Sequence, residues 1–121
     1  MLKDSVPATV FAQCHDGVGE VLARILVDTD EGVPGLAFLR DLVVPPGVSI
    51  GEHRHEHPEI YYLAAGAGTL LWDGERRPVQ AGHLSMVASG HSHGFENDGH
   101  EEARIIVIGL YERNRSDRAS Q

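Results

Sequence analysis

The 121-residue sequence has one cysteine, Cys14, so no intrachain disulfide supports its fold. Cys14 itself reads as a buried or incidental thiol. No apolar run approaches the ~20 residues that a membrane-spanning helix needs. The opening MLKDSVPATVF places Asp4 close behind Lys3 and has no long apolar stretch. It does not read as a signal peptide, and a cytoplasmic location is the expectation. Basic residues are scarce: ten Lys and Arg against eighteen Asp and Glu give a net charge of −8. Nucleic acids and anionic membranes draw proteins in through Lys and Arg, so neither is an expected partner. Sustained 3.6-residue periodicity is also missing, which leaves little helix to expect.

Present instead is an ordinary globular composition, 41% hydrophobic and 23% charged, enough for one domain. Residues 1–20 are mixed, with turn signals at Asp16-Gly17 and Gly19. Short apolar runs then alternate with turns. Residues 21–27 read as a strand, then 36–44, stopped by Pro45-Pro46-Gly47, then 59–65, ended by Gly66. Residues 69–72 and 77–80 flank Asp73-Gly74, a strong hairpin signal. Residues 84–87 and 103–111 complete the set. Many short strands with Gly or Pro turns argue an all-β sandwich or barrel spanning residues 21–113. Residues 114–121 form a polar tail.

Histidine is the unusual component. Of eight, six (His53, His55, His57, His83, His91, His93) fall between positions 53 and 93. Such a cluster suits metal binding or acid/base chemistry. Between Gly47 and Gly66 the chain reads G-VSIGE-H-R-H-EHP-E-IYYLAA-G. Alternate side chains on a strand share a face, so His53 and His55 point the same way, with Glu59 in phase. Two imidazoles and a carboxylate on one face make a mixed nitrogen and oxygen site for a divalent ion. Between Gly82 and Asn97 the chain reads G-HLSMV-A-S-G-HS-H-GFE-N, where His93, Phe95 and Asn97 share a face. His93 brought across the barrel completes a set of three His and one Glu. Four protein ligands leave one or two exchangeable positions, the mark of a reactive site rather than a closed structural one.

These two segments resemble the two signature motifs of the cupin superfamily. The first agrees at Gly47, His53, His55, Glu59 and Gly66. The second agrees at Gly82, Gly90, His93 and Asn97, and departs at Ala88, where the family usually has proline. The resemblance covers roughly residues 36–110. It implies a double-stranded β-helix, or jelly-roll, barrel of two antiparallel sheets, one divalent metal ion (Mn, Fe, Ni, Co or Zn) in its mouth and, commonly, a homodimer.

Around those ligands stand further candidates. Tyr61 shares the phase of Glu59 and is a candidate hydrogen-bond donor or weak acid. His57 is in phase with the ligands, but Pro58 kinks the chain there, which favours a place at the edge of the site. His91 lies two residues before His93 and is a candidate for the pocket lining. These three are the candidate catalytic residues. Arg40 and Asp41 lie mid-strand, so one of them points inward: Arg40 would suit a carboxylate substrate, Asp41 would supply a base. Arg40, Met86 and Phe95 are the candidate substrate-pocket residues. The expected function is a metal-dependent isomerase, lyase, cyclase or decarboxylase acting on a small organic carboxylate or carbonyl compound. An Fe(II)-dependent dioxygenase and a non-catalytic ligand-binding or sensor module are the alternatives, since fold does not fix chemistry.

Overall fold

The computed structural model describes residues 2–111. The polar tail expected at 114–121 lies outside them. Ten strands and two short 3-10 turns make up the described chain: β1 (Thr9–Ala12), β2 (Glu20–Val27), β3 (Leu36–Val44), β4 (Ser49–Arg54), β5 (Glu59–Ala65), β6 (Ala67–Trp72), β7 (Glu75–Gln80), β8 (Leu84–Val87), β9 (Ser92–Glu96) and β10 (Ala103–Leu110). The 3-10 turns are Cys14–Asp16 and Thr29–Glu31. A six-stranded sheet runs β1-β2-β3-β10-β5-β8, and a four-stranded sheet runs β4-β9-β6-β7. Every pairing is antiparallel. No helix among the described residues is long and apolar enough to cross a membrane.

Register decides which side chains enter the barrel. Directly opposed residues on neighbouring strands share a face. Across β3, β10 and β5 the inward rows are Phe38, Gly109 and Glu59; Arg40, Val107 and Tyr61; Leu42, Ile105 and Leu63. In the smaller sheet the inward rows are His53, His93 and Trp72, then Ile50, Phe95 and Leu70. Phe95, Ile50, Ile105 and Val44 are at most 1% exposed and anchor the core. At about 25 cal/mol per Å² of apolar surface, each such side chain contributes roughly 1.5–3 kcal/mol.

The Asp73-Gly74 hairpin forms as its sequence predicts. Trp72 pairs with Glu75, and both turn residues have positive φ (51° and 83°), as a two-residue hairpin turn requires. The sheet also extends into residues 1–20, because β1 pairs along its length with β2. Between Ile50 and His53 the β4–β9 register slips by one residue, a bulge at Gly51 and Glu52. This lets both Ile50 and His53 face inward, which strict alternation forbids. The far end of β9 is tied down by buried Asn97, whose Nδ2 donates to the Val44 and Glu101 carbonyls, each at 2.8 Å.

Candidate metal centre

Four donors meet where the two sheets face each other. His53 comes from the end of β4, His55 from the loop beyond it, Glu59 from the start of β5 and His93 from β9. One ligand atom from each lies within 4.8 Å of the others. His53 Nδ1 is held 2.7 Å from the Gly51 carbonyl, which fixes the ring and turns its Nε2 to the cluster side. His55 Nε2 and His93 Nε2 are 3.1 Å apart. His55 Nε2 is 3.0 Å from Glu59 Oε2, and His93 Nε2 is 3.0 Å from Glu59 Oε1.

These spacings fit a metal ion. Donors ~2.1 Å from one ion and at right angles about it stand ~3.0 Å from each other. The protonation states fit as well. Burial lowers His53 to about 4, with neighbouring imidazoles adding to the effect. Burial lowers His93 too, and its Nδ1 is enclosed without a hydrogen-bond partner among the described residues. Neutral imidazole is the form that ligates. For Glu59, burial alone would raise the carboxyl. Hydrogen bonds from His55 and His93 outweigh it and hold Glu59 well below the usual carboxylate range, charged and ready to ligate.

The structure brings some of the other candidates to this cluster and not the rest. Tyr61 is 5% exposed, its ring stacked on His93 at 3.8 Å between centroids. Burial, then the Glu59 charge, push its hydroxyl well above the ordinary tyrosine value, so it stays protonated. His57 is at the edge: its Nε2 lies 3.1 Å from Glu59 Oε2, and its ring meets Phe38 edge-on at 5.8 Å. Arg40 faces inward, its guanidinium 4.0 Å from the centre of the Phe38 ring, and its buried Nε has no partner among the described residues. Asp41 takes the opposite face, where both carboxylate oxygens accept from Arg104; it is not brought to the site as a base. His91 is also kept away. It is exposed, with Nδ1 3.0 Å from Asp73 Oδ2 on the hairpin turn.

A cavity of about 560 Å³ opens beside β7 and β8, one edge strand of each sheet; Tyr61, Leu70, Trp72, Phe95 and Ile105 wall it, and none of the four donors lines it. Phe95 is an inner wall of it. Met86 is at its rim, 55% exposed, on the outer face opposite Ile60. One residue escapes the sequence reading. His15, in the first 3-10 turn, lies flat on His53 with centroids 3.4 Å apart and planes 11° from parallel. Its only sequence signal is a turn; nothing marks a contact 38 residues away.

The comparisons with known proteins agree with this geometry. The cupin domain model matches residues 40–109. The oxalate-binding protein of Thermotoga maritima is 32% identical over 99 residues, 81% of this chain and 82% of that protein. The chain spans only 50–63% of the length of other curated relatives that it matches. A crystal structure of a predicted oxalate decarboxylase from Thermotoga maritima superposes with a TM-score of 0.84 at 28% identity, over 88% of this chain and 94% of that one. The polyketide cyclase RemF from Streptomyces resistomycificus superposes with a TM-score of 0.75 at 26% identity, over 93% of this chain and 82% of that one. A domain match over more than half of the sequence, on the very strands that carry the four donors, makes this chain a member of the cupin family.

Proposed function

We propose that this cupin is a metal-dependent enzyme acting on a small organic substrate with a carboxylate or carbonyl oxygen, by isomerase, lyase, cyclase or decarboxylase chemistry. The observation that carries the reading is the convergence of His53, His55, Glu59 and His93 within 4.8 Å. A divalent ion held there supplies Lewis acidity to the substrate oxygen. The chain's own groups have separate tasks. Tyr61, kept protonated, donates a hydrogen bond. Arg40, inward and with a buried Nε that has no partner among the described residues, attracts the substrate's negative charge. His57, half-buried at the edge beside Glu59, is placed to carry a proton between site and solvent.

A substrate with an apolar, ring-sized part would fit the cavity of about 560 Å³ walled by Trp72, Phe95, Leu70 and Ile105, whose wall residue Tyr61 is stacked on the donor His93. That favours the cyclase end of the range, in line with the name of RemF. A second reading, ligand binding without turnover, is favoured by the Thermotoga maritima relative, which is named for binding oxalate. A homodimer goes with either reading: Leu22, Tyr62, Leu84 and Met86 on the outer face of the large sheet are 39–62% exposed, an apolar surface suited to a second copy. A cytoplasmic location accompanies it.

The test is a substrate screen on protein loaded with Mn, Fe, Ni, Co or Zn in turn, with and without dioxygen. Metal-dependent turnover of a carboxylate or carbonyl compound without dioxygen is the expected result. Saturable binding with no product under any metal would replace the enzyme reading with the binding one. Dioxygen uptake confined to the Fe(II) form would select the oxygenase.

A further inference from the structure

We infer that His15 is a positioning residue for the metal centre: its ring holds the His53 imidazole in its ligating orientation. The inference rests on the metal reading above and goes beyond it. Two contacts pin His53, the Gly51 carbonyl at Nδ1 and the flat face of His15 at 3.4 Å. His15 also meets His55 edge-on, with centroids 6.1 Å apart. A single hydrogen bond leaves a ring free to swing about it. A second ring laid on its face removes that freedom and covers the ligand from solvent.

The segment that carries His15 is built for this placement. Gln13, His15 and Asp16 all have positive φ, at 49°, 51° and 64°. L residues rarely adopt that conformation, and it persists only where surroundings enforce it. Here the surroundings are β4. Val18 and Ser49 exchange hydrogen bonds, Ser49 N to the Val18 carbonyl and Val18 N to Ser49 Oγ, both at 2.9 Å. Gln13 N donates to the Gly19 carbonyl at 2.9 Å and closes the loop. Two glycines permit the close approach. A Cβ on Gly17 would overlap the Ser49 carbonyl, and one on Gly51 would overlap the His15 carbonyl. The Gly51 bulge that aims His53 inward is therefore also the seat of the His15 backbone. One local feature sets the ligand and the ring that braces it.

The experiment titrates Co(II) into the full chain and follows the visible absorption band and the affinity. The unaltered protein should bind one ion. A missing band there removes the metal reading, and this inference with it. His15→Ala should weaken Co(II) binding about tenfold, the scale of losing a group that orients a ligand. His15→Phe keeps a flat ring without ring nitrogens and should restore affinity and band. Gly17→Ala, which lifts the segment off Ser49, should weaken binding like His15→Ala, and the double variant should lose no more than either alone. Melting in chelator should show each variant folded. Affinity unchanged in His15→Ala overturns the inference. So does His15→Phe binding as weakly as His15→Ala, because His15 would then act through a nitrogen rather than its ring face.

Discussion

Gly109 sits in β10 between Phe38 and Glu59, on the inward row that carries the metal cluster. A Cβ at this position would lie within 2.7 Å of three ring carbons of Phe38. Phe38 cannot swing away cheaply: it is 7% exposed, with Arg40 over one face and His57 at its edge. Gly109→Ala is thus a steric perturbation aimed at the wall of the site. Alanine in a strand gains about 0.5–1 kcal/mol over glycine through the unfolded chain. Forcing a methyl into a filled core costs about 1–3 kcal/mol. The net expectation is a loss of roughly 1–2 kcal/mol, and a melting point lower by roughly 5 °C. Urea unfolding in chelator measures it without a contribution from metal. The partner variant Phe38→Leu removes the ring carbons that collide, so in that background Gly109→Ala should cost less than about 0.5 kcal/mol. Equal cost in both backgrounds, or none in either, would refute the packing argument.

Asn97→Ala should cost about 2–4 kcal/mol by urea unfolding, because it strands the buried Val44 carbonyl and frees the Glu101 carbonyl and the Gly99 N–H; a change under about 0.5 kcal/mol would contradict this. Without metal, stability should fall as pH drops from about 6.5 through about 4, since the unfolded chain takes up a proton on His53 that the folded chain refuses. Glu59 acts in the same direction below 4.5, where the unfolded carboxyl protonates first. Melting curves that are flat or rise on acidification over this range would count against a buried, neutral His53 beside an ionised Glu59. Asp41→Asn should lower stability and leave metal affinity unchanged, because Asp41 pairs with Arg104 on the outer face; a tenfold loss of metal affinity would put Asp41 back at the site.

Most of the site was legible because its residues are close in sequence. His53 and His55 are two residues apart and Glu59 opens the next strand, so a short stretch of chain carries three of the four donors, and the Asp73-Gly74 turn folds as its residue types dictate. The inward choice between Arg40 and Asp41 was not legible, since a single strand offers both faces and only the partner strands say which is core. His91 misled because its nearness to His93 in sequence is cancelled by strand alternation ending at an exposed turn. His15 was hidden for a different reason. Its contact with His53 is long-range and depends on a bulge and on left-handed backbone at three non-glycine residues, none of which residue pattern encodes.

Whether His53, His55, Glu59 and His93 hold a metal is decided by elemental analysis of the purified chain after incubation with excess Mn, Co, Ni or Zn and removal of free ion. One divalent ion per chain is expected, with loss of nearly all of it in His53→Ala and in His93→Ala while both remain folded. Full metal content in either variant, or none in the unaltered protein with any of these ions, would contradict it.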